Sequence, residues 1–159
     1  MDRVYLDTNI IIPLVVDGAS LEKRRGVVIA ALDALSQINV ELCVSGWTLT
    51  EMMKVMINEY KVQPKRAAII HNSITETSSV GGYEIKLIPP SLNIDFSITD
   101  LFRDVREIMA VYSPGWGDAI HCVTMRQNKL DKILSADGKR DFKIIPGLEV
   151  LKPETLIVE

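Results

Sequence analysis

Short apolar segments, each followed by a longer stretch with helical spacing, recur along this 159-residue chain. Val4-Tyr5-Leu6, Leu42-Cys43-Val44, Ile85-Lys86-Leu87-Ile88, Lys132-Ile133-Leu134-Ser135 and Glu149-Val150-Leu151 read as strands with little that suits a solvent face. Strands of this kind are buried on both sides, and the intervening helices supply the cover. The pattern therefore predicts an α/β fold with helices packed on both faces of a mostly parallel sheet. Helices are predicted from near Ile10 (disturbed at Pro13), over Leu21 to Ile38, Thr48 to Tyr60, from Pro64 through Ile74, over Ile98 to Tyr112, and over Asp118 to Gln127. Thr77 to Gly82 reads as a turn or loop. No repeat or linker divides the chain, whose length is about that of one domain, so residues 1–159 are expected to form a single one.

Composition narrows the class. With 47% hydrophobic and 25% charged residues, the chain has the make-up of a folded domain and not of a disordered tail. Its net charge of −3 argues against coating nucleic acid by bulk electrostatics, though not against binding it locally. Cys43 and Cys122 sit in apolar surroundings without metal-site spacing, and read as buried free thiols. The longest apolar runs fall far short of the roughly 20 residues that span a membrane, and no leader pattern opens the chain. A cytoplasmic protein is expected.

In parallel sheets, chemistry gathers at the carboxyl ends of the strands, near the point where strand order reverses. Asp7, Glu51 and Asp137 follow apparent strands, and Asp118 opens a helix after a glycine-rich turn. If these four converge, their mutual repulsion favours a bound cation, and hard oxygen ligands suit Mg²⁺ or Mn²⁺. Such ions lower the pKa of water and stabilise the displacement of a phosphodiester oxygen. Each acid also has an ordinary reading. Asp7 and Asp118 could cap the helices that follow them, Thr48-Leu49-Thr50-Glu51 fits a capping box, and Ala136-Asp137-Gly138 fits a plain turn.

These residues resemble the PIN-domain nucleases, and among them the VapC-type toxins. The resemblance rests on Tyr5-Leu6-Asp7-Thr8-Asn9, Ser45-Gly46-Trp47-Thr48-Leu49-Thr50-Glu51, Gly117-Asp118-Ala119-Ile120-His121, the stretch from Ile133 to Phe142, and the ending from Ile145 to Pro153. It implies a three-layer α/β/α sandwich with an acidic pocket for Mg²⁺ or Mn²⁺, and endonucleolytic cleavage of single-stranded or structured RNA. Carried over by position, Asp7, Glu51, Asp118 and Asp137 would be the catalytic, metal-holding acids. Thr8 and Asn9 would orient the first carboxylate and water, Ser135 would support the last acid, and Asp141 could share or replace the role of Asp137. A small antitoxin and a second copy of the chain are the partners implied. The alternatives are a housekeeping RNA-processing nuclease without an antitoxin and a non-catalytic RNA- or protein-interaction module.

Other residues carry weaker signals. Lys139 and Arg140 follow Asp137 and are candidate RNA phosphate contacts, as are Lys23-Arg24-Arg25 and Lys65-Arg66, though helix ends and loops also place basic residues in solvent. His121, one turn after Asp118, reads as a core or rim histidine in preference to a site contact, and Trp116 as packed under its turn in preference to stacking on a base. Asn9 stands where an aspartyl-nucleophile phosphatase would carry a second Asp, and no phosphate-binding glycine motif is present. With four acids assigned to one pocket, 18 basic residues face 17 remaining acidic ones, so the overall charge does not oppose an RNA substrate.

Overall fold

The computed structural model describes residues 2–89, 98–136 and 140–157. In chain order it runs β1 (Arg3–Leu6), α1 (Thr8–Val15), α2 (Ala19–Gln37), β2 (Glu41–Ser45), α3 (Gly46–Asn58), α4 (Pro64–Thr77), β3 (Ser79–Val80), β4 (Tyr83–Glu84) and β5 (Lys86–Ile88). It continues with α5 (Ile98–Tyr112), α6 (Trp116–Gln127), β6 (Lys132–Leu134), α7 (Arg140–Lys143), β7 (Glu149–Leu151) and α8 (Pro153–Leu156). Five strands form a parallel sheet in the order β5-β2-β1-β6-β7, as the alternation of strands and helices predicts.

The period of two along each strand divides the core into two layers. Val4, Leu6, Leu42, Val44 and Leu134 face a cluster covered by α1, α2, α3 and α4. Tyr5, Cys43 and Ile133 face a second cluster, built with Val105 and Ile108 of α5, several residues of α6, and Phe142. Every one of these strand residues is at most 5% exposed. The result is the α/β/α sandwich. Cys43 and Cys122 are buried free thiols in the second layer, and burial pushes the Cys43 thiol up to about 11.

Local departures from the sequence expectations have identifiable causes. The helix expected to begin near Ile10 begins at Thr8, because Asp7 accepts a hydrogen bond from the Thr8 amide at 2.7 Å and caps it. It passes through Pro13 and ends two residues later, at Val15, a length that limits the cost of the missing amide. Thr77 to Gly82, expected as a turn or loop, holds part of a two-stranded hairpin in which β3 pairs with β4. Gly81 and Gly82, at φ +58 and +90, supply the left-handed backbone that such a two-residue turn requires.

Arg25 was one candidate for phosphate binding, but its guanidinium instead bonds the carbonyls of Pro13 and Val16, both at 2.6 Å, and Asp17. It fastens α2 to the carboxyl end of α1, where helical carbonyls lack amide partners. Arg25→Ala should lower stability by about 1–2 kcal/mol in urea unfolding, as expected for charge-assisted bonds to a half-buried helix end. An unchanged midpoint would show that water replaces the arginine at no cost.

Candidate active site

The chain leaves β1 in both directions across the sheet, first to β2 and β5, later to β6 and β7, so strand order reverses between β1 and β6. A crevice at the carboxyl ends of the strands is expected there. Asp7 stands at its floor, 2% exposed, directly after β1, and its amide bonds the Leu134 carbonyl at 3.1 Å. The Asp7 carboxylate is held by three donors. Oδ1 accepts from the Thr8 amide, and Oδ2 accepts from Asn9 Nδ2 at 2.8 Å and from Ser135 Oγ at 2.7 Å. Asn9 Oδ1 in turn accepts from the Ala136 amide at 2.9 Å. Asn9 thus ties the turn after β6 to the one after β1, and Ser135, expected beside the last acid, donates to the first.

Glu51 reaches the same place from α3. Thr8 Oγ1 donates to Glu51 Oε2 at 2.5 Å, so one threonine bonds both acids, one through its amide and the other through its hydroxyl. The capping-box reading of Glu51 does not survive. Helix α3 starts at Gly46, two residues before the expected Thr48, and the residue that caps it is Ser45, whose hydroxyl accepts from the Thr48 amide at 3.2 Å. Glu51 lies in the second turn, beyond the unpaired amides a box would serve. Gly117 makes room for it: a Cβ there would stand 3.1 Å from Glu51 Oε1.

His121 is fully buried, as a core histidine would be, yet it is also a member of the acidic cluster, which sequence reasoning did not favour. Its Nε2 lies 3.1 Å from Glu51 Oε2 and 3.9 Å from Asp7 Oδ1. Its Nδ1 lies 2.8 Å from the hydroxyl of Tyr5, which is also within 2.6 Å of Ser45 Oγ and 2.7 Å of Thr48 Oγ1. Burial pushes the Tyr5 hydroxyl above the ordinary tyrosine range, so it stays protonated. The signal in the sequence was Tyr5 itself, a hydroxyl in an otherwise apolar strand, which needs polar partners when buried.

Asp118 does not cap its helix. Gly115 occupies the cap position, and Asp118, 9% exposed, sits in the first turn of α6, which begins at Trp116 and not at Asp118. Among the described residues, the acids and histidines whose ligand atoms all lie within 4.8 Å of one another are Asp7, Glu51 and His121, with Asp118 outside that group. Asp137 and Lys139 lie outside the described residues. Arg140 and Asp141 form the first two positions of α7, and their side chains also lie outside the description.

Trp116 is not packed under its turn. It is 43% exposed and stacks on Phe102, 44% exposed, with ring centres 5.8 Å apart. The pair lines an apolar groove of about 520 Å³ with Trp47, Leu101 and Ile120. Trp47 connects this groove to the cluster, its ring centre 6.5 Å from that of His121.

Two carboxylates and an imidazole converge at the switch point, with Oδ2 of Asp7 held by two neutral donors, and form a donor set that a divalent cation can take. The chain's likeness to known proteins agrees with the fold. A VapBC complex of Rickettsia felis, solved with a promoter DNA fragment, matches with a TM-score of 0.61 at 17% identity over 94% of this chain and 98% of that one. A toxin–antitoxin complex of Klebsiella pneumoniae matches with a TM-score of 0.55 at 22% identity over 94% and 97%. A sarcin–ricin loop-cleaving VapC toxin of Mycobacterium tuberculosis matches with a TM-score of 0.56 at 15% identity over 82% and 86%. No curated protein matches the chain by sequence. The family model of the PIN domain matches residues 4–148, nearly the whole chain, and the protein belongs to the PIN domain family.

Proposed function

We propose that this protein is a divalent-metal-dependent endoribonuclease acting on single-stranded or structured RNA, and the toxin of a type II toxin–antitoxin pair. The observation that carries the reading is the pairing of Asp7 and Glu51 through Thr8 at the switch point of the sheet. Likeness to the toxin–antitoxin complexes supports the toxin assignment and, with it, an antitoxin partner; a second copy of the chain is proposed beside it.

In this reading Asp7, Glu51, Asp118 and Asp137 hold the Mg²⁺ or Mn²⁺, with Asp141 available beside the last. The cation supplies a more acidic water and neutralises charge on the phosphodiester undergoing displacement. Asp7, its oxygens fixed by three donors, serves as the immobile anion of the site. Glu51, with a side chain 28% exposed against 2% for Asp7, is the one placed to take the proton of the attacking water. Lys139 and Arg140 contact RNA phosphates, and the Phe102–Trp116 groove receives an unpaired base beside the cleaved bond, as stacked aromatics do in other single-strand binders.

The test is incubation of the purified protein with defined single-stranded and hairpin RNAs in Mg²⁺, in Mn²⁺ and in chelator, with the ends mapped. Discrete cuts that need the cation and stop in chelator are expected. Cuts that persist in chelator would remove metal dependence, and intact RNA in both cations would overturn the nuclease reading.

A further inference from the structure

We infer that His121 adds a nitrogen ligand to the cation site beside Asp7 and Glu51, so that the site prefers Mn²⁺ to Mg²⁺. The inference rests on reading the acidic cluster as a cation site. Two ligands of one ion at about 2.1 Å stand about 3.0 Å apart when adjacent and about 4.2 Å apart when opposite. His121 Nε2 is 3.1 Å from Glu51 Oε2 and 3.9 Å from Asp7 Oδ1, both inside that range.

The other face of the imidazole accommodates the same assignment. The Tyr5 hydroxyl has one hydrogen and three neighbours within hydrogen-bond distance, Ser45, Thr48 and His121 Nδ1, so at least two of the three must donate to it. With Nδ1–H as one of those donors, Nε2 carries its lone pair towards the two carboxylates. Histidines that bind metals are characteristically held in this way, their second nitrogen donating to an oxygen that fixes the tautomer. In that tautomer the Nε2 lone pair faces Glu51 Oε2 at 3.1 Å, a repulsion that a bound cation relieves; in the other tautomer Tyr5 donates to Nδ1 and Nε2–H donates to Glu51, so direct manganese–nitrogen coordination is what separates the two. The ring cannot turn away. It is fully buried, with edge contacts from Tyr5, Trp47 and Phe142 at centre distances of 5.5, 6.5 and 6.3 Å.

Imidazole nitrogen suits Mn²⁺ and the later transition ions better than Mg²⁺, which favours an all-oxygen shell. The consequence is a Mn²⁺ affinity at least about tenfold above that for Mg²⁺, a difference the outer Tyr5 contact helps maintain.

The experiment loads the intact protein with Mn²⁺, measures affinity by calorimetry, and reads pulsed electron paramagnetic resonance for nitrogen bound directly to the manganese. The chain has two histidines, so His71→Ala removes the other imidazole and should leave the nitrogen signal unchanged. His121→Gln should abolish the signal and bring the Mn²⁺ and Mg²⁺ affinities together. If His121→Gln does not fold, the wild-type and His71→Ala spectra still decide. Manganese bound without a directly coordinated nitrogen would overturn the inference, assigning His121 to holding Glu51, and would leave the proposed function standing. No Mn²⁺ binding at all would overturn both.

Discussion

Asp7→Asn is expected to abolish cation binding and to reduce RNA cleavage by at least about a hundredfold, while the protein stays folded. Outer partners that merely support a metal ligand are worth about 10–100-fold, so loss of the charged ligand should exceed that. Asn is as good a helix cap as Asp, so the start of α1 is preserved. The amide nitrogen must nevertheless replace one carboxylate oxygen, and each of the two now faces at least one hydrogen-bond donor. At least one buried donor then loses its acceptor, at about 1–3 kcal/mol each. Calorimetry with Mn²⁺ separates the two effects from each other. Wild-type affinity in the variant would show that Asp7 holds no ion and serves only as the cap and hub of its hydrogen bonds.

Phe142→Ala should destabilise the fold by about 3–5 kcal/mol, the usual cost of truncating a fully buried phenylalanine. For a domain of this size that corresponds to a fall in Tm of roughly 6–20 °C. Phe142 belongs to α7, a helix of four residues too short to hold itself, so its burial in the second core layer is what anchors the segment. That segment follows the stretch carrying Asp137 and Lys139, and the phenyl ring also braces His121 at 6.3 Å. The variant should therefore lose Mn²⁺ affinity as well as stability, even at temperatures where it remains folded. A Tm within about 2 °C of the wild type would mean that the layer closes over the gap and that α7 is held by something else.

The strands were legible in the sequence because a strand buried on both faces shows itself in its own residues, as Val4-Tyr5-Leu6 does. Helix ends were less so. Thr48 to Glu51 has the composition of a capping box, but Ser45, three residues upstream, is the end of β2 as well as the cap, and no pattern in the sequence says which hydroxyl takes the free amide. His121 is in the core as the sequence predicts, whereas Trp116 is not packed under its turn. One lies in the core and also touches the acids, and the other is half-exposed beside a ring contributed by α5.

By itself the sequence determined the class of fold, the order of the five sheet strands and the larger helices along the chain, and the place of Asp7, since these follow from local periodicity and from residues adjacent in the chain. Only the tertiary structure decided that Thr8 bonds Glu51, 43 residues away, that Ser135 turns to Asp7, 128 residues away, and that the Tyr5 hydroxyl meets His121 Nδ1 at 2.8 Å. The physical reason is that a hydrogen bond is set within a few tenths of an ångström, whereas hydrophobic periodicity specifies only which face of an element is buried. The register β1 takes with β2 and β6 turns those faces into a site.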